Sequence, residues 1–194
     1  MDLSPVTLHG NSVTLEPLSP KHLDGLGEVG LDPELWKITM TLIRTRDEMK
    51  AYIETALSWH EQKTALPFAI IEKKSAKIVG STRFANIDHA NRRAEIGWTW
   101  IARPWQRSAI NTEAKYLLLT HAFERMGCIR VEFKTDSINQ QSRNALLRIG
   151  AREEGILRNH MITPTGRIRH SVYYSITGEE WADVKQKLSE MLRR

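Results

Sequence analysis

The stretch from Trp98 to Lys115 constrains this chain more than any other. Trp98-Thr99-Trp100-Ile101 continues a strand-like run. Ala102 to Arg107 forms a short polar loop, and an amphipathic helix opens near Ser108 to Asn111. The first N–H groups of a helix have no partner within it, and the helix dipole adds partial positive charge there. A strand that aims a loop and a helix N-terminus outward therefore makes a seat for a phosphate-bearing ligand.

The rest of the pattern predicts what surrounds that seat. Val13 to Leu18 reads as a first strand, closed by Ser19-Pro20, with a helix from about Pro20 to Val29. Thr45-Arg46-Asp47-Glu48 fits a capping box, and Met49, Tyr52, Ile53, Ala56 and Leu57 keep helical spacing to about Gln62. Three strands then follow, Pro67 to Glu72, Lys77 to Ile87 and Arg92 to Ile101, joined by hairpin-like connections. The helix after the loop should bury Ala114, Leu117, Leu118, Ala122, Phe123 and Met126 and stop at Gly127. Ile129 to Thr135 is a strand, Gln140 to Ile149 a short helix, Glu153 to Ile162 and Arg169 to Ile176 the last strands, and a helix runs from Glu179. No linker or repeat divides the 194 residues, so the order predicts a single α+β domain.

Several other signals carry little. Gly25-Leu26-Gly27-Glu28-Val29-Gly30 has the letters of a dinucleotide fingerprint, but it lies in or at the end of a helix instead of between a strand and a helix. His60-Glu61 begins like a zinc-protease motif, but position 64 is Thr; together with the scattered histidines this leaves no metal site to propose. Cys128 is the only cysteine, which excludes an internal disulfide and reads as core filler. No apolar run reaches membrane-spanning length, and Met1 to Pro5 lacks the features of a secretory signal, so a cytoplasmic protein with no membrane partner is expected. The net charge of +5 is spread along the chain without a basic helix or tail, which argues against nucleic acid as a partner and suits an anionic cofactor.

Three segments in order resemble the GCN5-related N-acetyltransferase (GNAT) superfamily, near its ribosomal-protein (RimJ/RimL-like) branch. Glu95-Ile96-Gly97-Trp98 leads into Gln106 to Ala114, where that family has a glycine-rich phosphate loop. Asn139-Gln140-Gln141-Ser142 with Ala145 to Ala151 resembles its N-x-x-S run, and Glu154 to Arg158 with Arg169 to Ile176 resembles its last two strands. The resemblance implies a mostly antiparallel mixed sheet flanked by helices and splayed at the cofactor-binding strand. It places the acetyltransferase domain at 1–181, with residues 182–194 a helix packed on or extending from it.

It also implies acetyl-CoA as cosubstrate, without metal, and an amine acceptor. Gln106, Arg107, Ser108, Ala109, Ile110, Asn111 and Thr112 would take the pyrophosphate, and Trp100, Ile101 and Ala102 would pair with the pantetheine arm by main chain. Asn139 could hydrogen-bond the pantetheine, with Ser142 near the sulfur. Where the family loop has glycines, this chain has Arg107 and Ala109: each strains any position needing positive φ, or else the loop tolerates them and Arg107 contacts phosphate.

The implied reaction is direct attack of a neutral amine on the thioester in a ternary complex, with a base to take the proton. Glu95 is the candidate base; an ion pair with Arg92, Arg93 or a neighbouring strand suits it equally. Ser142 is the candidate acid or sulfur contact, and an N-cap is compatible with that. The branch resemblance points to a protein or peptide N-terminal amine. A small amine such as an amino acid or antibiotic, or a CoA-binding module without turnover, are the alternatives. Dimers occur among similar proteins, so a homodimer is compatible with the resemblance.

Overall fold

Burial along the strands shows a sheet covered on both faces at its centre: Leu66 to Ile70 and Val79 to Ala85 are buried without a break, whereas other strands alternate. The strand Arg130–Asp136 shows the pattern: Val131, Phe133 and Thr135 are buried to one side, and Glu132 and Lys134 point to the other, half-buried. The computed structural model describes residues 1–193. In chain order the elements are β1 (Leu8–His9), β2 (Val13–Pro17), α1 (Leu23–Gly30), α2 (Arg46–Glu61), β3 (Leu66–Glu72), β4 (Lys77–Asp88) and β5 (Arg93–Ile101), then α3 (Ala109–Glu124), β6 (Arg130–Asp136), α4 (Gln140–Ile149), β7 (Arg152–Ile162), β8 (Ile168–Thr177) and α5 (Trp181–Leu192). The strands form one sheet in the order β1-β2-β3-β4-β5-β6-β8-β7.

All neighbours are antiparallel except β5 and β6, which α3 joins as a parallel crossover. That pair is brief. Arg93 to Glu95 lie against Arg130 to Glu132, and no pairing continues beyond them. From Ile96 onward β5 has lost its neighbour on one side, so the sheet opens into a V whose mouth faces the N-terminus of α3. This is the splayed α+β architecture the sequence led us to expect.

Helices α3, α4 and α5 cover one face, where Leu118, Leu119, Val131, Phe133, Tyr174 and Ile176 share the larger core. Helices α1 and α2 cover the other, around Leu26, Met49, Ile53, Ala69 and Trp100. Each fully buried large side chain, such as Leu118, contributes roughly 1.5–3 kcal/mol. The capping box of α2 forms as its sequence predicts: Glu48 N–H donates to Thr45 Oγ1 and Thr45 N–H to the Glu48 carboxylate. Helix α5 lies on α3, with Trp181 stacked on Phe123 at 5.2 Å and its indole N–H donating to Glu124. Residue 194, the end of the expected terminal helix, lies outside the described residues.

Three details differ from the expectation. The first helix begins as a 3-10 turn over Pro20–His22, because Ser19 N–H donates back to His22 Nδ1 and tightens the entry. The last helix starts at Trp181 instead of Glu179, since Glu180 turns back to accept from Thr177 N–H. Strand β1 is too short for any periodicity to reveal it, and it is secured from a distance: Glu113 of α3 accepts from the N–H groups of Asn11, Ser12 and Val13 at 2.7–2.8 Å.

Candidate active site

The V in the sheet is the mouth of a cleft of about 630 Å³, lined from both faces. One extra residue in β5 shapes its wall. Opposite β4, the pairing steps from Ser81 with Trp100 to Arg83 with Gly97, two residues against three, and Trp98 takes φ +48° to absorb the surplus. The bulge turns the free edge of β5 toward the cleft. Tyr52 of α2 braces it by donating to the Trp98 carbonyl at 3.4 Å.

Glu95 stands where β5 and β6 part, 4% exposed and lining the cleft. Its Oε2 accepts from Asn86 at 2.8 Å and lies 3.4 Å from Lys134 Nζ, whereas Oε1 has no hydrogen-bond partner among the described residues. Gly97 gives that oxygen its room, for a Cβ there would stand 3.0 Å from it. Arg93 is engaged by Asp88 and Glu132, and Arg92 by the Gly127 carbonyl, so the ion pair open to Glu95 on sequence grounds is with the neighbouring strand. One carboxylate oxygen is therefore tied down and the other faces the cleft.

On the α3 side, the loop enters the helix through Arg107 at φ +58°, the left-handed conformation that favours glycine. Ala109 is the first helical residue and needs no such conformation. Ser108 is the N-cap: its hydroxyl accepts from Ile110 N–H and donates to the Trp105 carbonyl. Gln106 Nε2 donates to the Ile101 carbonyl at 2.8 Å, and Ala102 N–H goes to Val79 on β4. Trp100, Ile101, Gln106, Arg107, Asn111, Asn139 and Ser142 line the cleft. Ala102, Ser108, Ala109, Ile110 and Thr112 do not: Ile110 is core, and Thr112 is buried and accepts from Arg148. Whatever these five offer a ligand is main chain.

Asn139, not Ser142, caps α4; its Oδ1 accepts from Ser142 N–H at 3.0 Å. Ser142 sits one turn in, its hydroxyl free of that duty. Three buried polar atoms on cleft-lining residues lack partners, Trp100 Nε1, Asn111 Oδ1 and Arg169 Nε. Orphaned groups of this kind are what a polar ligand arm would satisfy.

The sequence singled out neither Lys115 nor the far wall. Lys115 is 6% exposed, donates to Thr99 Oγ1 at 2.9 Å and lies above the Phe133 ring; burial pulls its ammonium down to about 7. It follows Asn111 by one helical turn, and that spacing was the available signal. On the far wall, β6 and β8 present Lys134, Asp136 and Arg169 on the same face as Glu95. Burial first, and the nearby Lys134 and Arg169 charges next, hold His160 below its usual range. His170 instead accepts from Asn159 N–H and braces the hairpin, and Tyr174 lies in the opposite core. Cys128 is buried, which pushes its thiol up to about 11.

A free strand edge, an adjacent helix N-terminus and a carboxylate at the point of splay come together in this one cleft. Residues 12–152 match the acetyltransferase (GNAT) domain family, and this chain belongs to that family. It is 31% identical to a GCN5-related N-acetyltransferase from Brucella melitensis, covering 97% of this chain and 86% of that one with a TM-score of 0.90. It is 37% identical over 108 residues to the Bacillus subtilis protein named "Putative ribosomal N-acetyltransferase YdaF", a match that spans 56% of this chain and 58% of that protein. Mycobacterium smegmatis RimJ, whose structure is a complex with CoA-disulfide, shares the fold at TM-score 0.84 and 23% identity, covering 97% and 95% of the two chains.

Proposed function

We propose that the protein transfers the acetyl group of acetyl-CoA to a primary amine, with a protein or peptide N-terminus as acceptor. One observation carries this reading: the unpaired edge of β5 from Ile96 to Ile101 runs directly toward the capped N-terminus of α3. An amide-rich arm can add to such an edge as a strand does, and a pyrophosphate suits the helix terminus. The CoA-disulfide bound by the similarly folded RimJ, and the ribosomal name of the Bacillus relative, support cofactor and acceptor respectively.

The residues present fit acetyl-CoA. The main chain of Arg107 to Thr112 would hold the diphosphate, with Arg107 adding charge, and the edge near Trp100 and Ile101, together with Asn139, would hold the pantetheine. When bound, the cosubstrate supplies a thioester carbonyl open to attack by an amine. Glu95 Oε1 is placed to accept the proton that the amine must lose, directly or through a water. Free main-chain N–H groups along the splayed edge are donors for charge developing on the acyl oxygen. The Ser142 hydroxyl is a proton source on the α4 side.

Release of free thiol from acetyl-CoA, measured over a panel of N-terminal peptides and small amines, tests the proposal alongside calorimetric CoA binding. Peptide-dependent thiol release supports it. CoA binding with no release for any amine would leave a binding module without turnover, and release only with small amines would move the acceptor class.

A further inference from the structure

Arg169 is 5% exposed, lines the cleft, and its side chain makes no hydrogen bond among the described residues; its Nε is buried and without a partner. A guanidinium presents five donors, and leaving its buried Nε–H unanswered is costly. The nearest carboxylate, Asp136, is 4.0 Å away, and its oxygens are engaged elsewhere, by the Arg167 guanidinium and by Ile138 N–H at 3.2 Å. Two positions along β8, Ser171 Oγ is wholly buried and equally without a partner. The charges in these contacts do not cancel: Lys134, Arg167 and Arg169 share two carboxylates, Glu95 and Asp136, and Arg169 has the longest contact of the three.

Position decides what the surplus is for. Arg169 shares its face of the sheet with Glu95, whereas α3 packs on the opposite face. A diphosphate held at the α3 terminus is therefore not its natural partner, and the incoming amine is. We propose that Arg169 is the carboxylate-binding residue of the acceptor subsite, so that the preferred acceptor carries an acidic group close to its reactive amine. This rests on the transfer reading above and deepens it by naming a chemical class of acceptor. A planar guanidinium suits a carboxylate because two parallel N–H groups can meet both oxygens. The acid can come from an acidic side chain near a peptide N-terminus or from the α-carboxylate of a free amino acid.

The test uses C-terminally amidated tetrapeptides in pairs, Asp against Asn at the first, second or third position, with alanine against alaninamide as the amino-acid arm. Thiol release gives kcat and KM, and calorimetry gives the affinity of the N-acetylated forms without turnover. In the wild-type protein one acid-bearing member of a pair should be preferred about ten- to a hundredfold in KM. Arg169→Met should abolish that preference while CoA affinity stays nearly unchanged, and Arg169→Lys should restore part of it. The arm that shows the preference identifies the source of the carboxylate.

Equal use of acid and amide in every pair, or a preference that survives in Arg169→Met, overturns the subsite while leaving acetyl transfer intact. Acid-dependent binding of the acetylated peptides with no thiol release from any amine would do the reverse, keeping the subsite and removing the transfer reading. Retained CoA binding by each variant shows that it is folded, so a lost preference cannot be attributed to unfolding.

Discussion

The two walls of the cleft are built on different principles. The α3 wall is main chain: a bulged strand with a free edge, a loop whose turn passes through Arg107, and a capped helix start. Its side chains are mostly spent on holding the backbone, as Gln106 on the Ile101 carbonyl, Ser108 on Trp105 and Asn139 on Ser142 show. The opposite wall is side chain: Glu95, Lys134, Asp136 and Arg169 from three strands, with Tyr52 and Trp36 closing from the helical layer. A ligand read through backbone can be the same in every relative. A ligand read through side chains can change with each of them. The difference teaches that the first wall is suited to an invariant cosubstrate and the second to a particular acceptor.

Glu95→Gln should break the comparison most sharply, since it acts on one wall alone. It keeps the volume and the contact with Lys134 but removes the proton acceptor. Turnover should fall about a hundred- to ten-thousandfold, as the loss of a general base does, with CoA affinity by calorimetry close to the wild-type value. Unchanged kcat would assign Glu95 to the ion pair with Lys134 and leave proton removal to water.

The same division explains how much could be read in advance. The α3 wall follows from local pattern: alternation in β5, a polar loop and the helical stripe beginning at Ile110. The elements around it fell close to their expected bounds, Gln140–Ile149 with no shift at all. Charges inside the apolar stripe were not legible. Glu113 and Lys115 flank Ala114 and would be solvent-facing by composition, yet one reaches back to the β1–β2 turn and the other to Thr99. Their partners lie on elements remote in sequence, so no window of residues reveals them. The far wall was hidden for the same reason. Lys134 and Arg169 meet Glu95 only once β6 and β8 are paired, and an exposed alternating position and a site position look alike in a strand. Ser142 misled because an N-cap is defined by backbone φ and ψ, and Asn139, three residues earlier, has the non-helical ψ of 73° and the side-chain oxygen for the role.

Lys115 belongs to neither wall; its ammonium lies in the wedge between them, and its effect on stability should be smaller than the loss of turnover in Glu95→Gln. Its value of about 7 lies below the usual lysine range because burial disfavours the charge. The unfolded chain therefore binds more protons between about pH 7 and the ordinary lysine value near 10.4, and the contribution to stability rises with pH across that window. Below about 7 both states are protonated and the full cost of burying the charge remains. Lys115→Met should raise stability at pH 6 by about 2–4 kcal/mol and flatten the rise above pH 7, as read from denaturant midpoints at several pH values. A wild-type curve that parallels the variant's would mean that an ammonium sits in the wedge without cost.

The smallest expected effect concerns Arg107, where the main-chain wall departs from its own rule. A left-handed φ at a residue with a Cβ costs about 1 kcal/mol, which glycine would relieve in the native state while loosening the unfolded chain. Arg107→Gly should thus leave the thermal midpoint within a few degrees of the wild type. If the guanidinium meets a phosphate, that variant should bind CoA about tenfold more weakly, and the loss should shrink in high salt. Arg107→Asn separates the two contributions, because asparagine tolerates the same φ without carrying charge. Equal weakening in both variants assigns the effect to charge. Tighter binding by Arg107→Gly alone would show that the side chain obstructs the loop, so that relaxing the backbone with glycine improves the seat for the diphosphate.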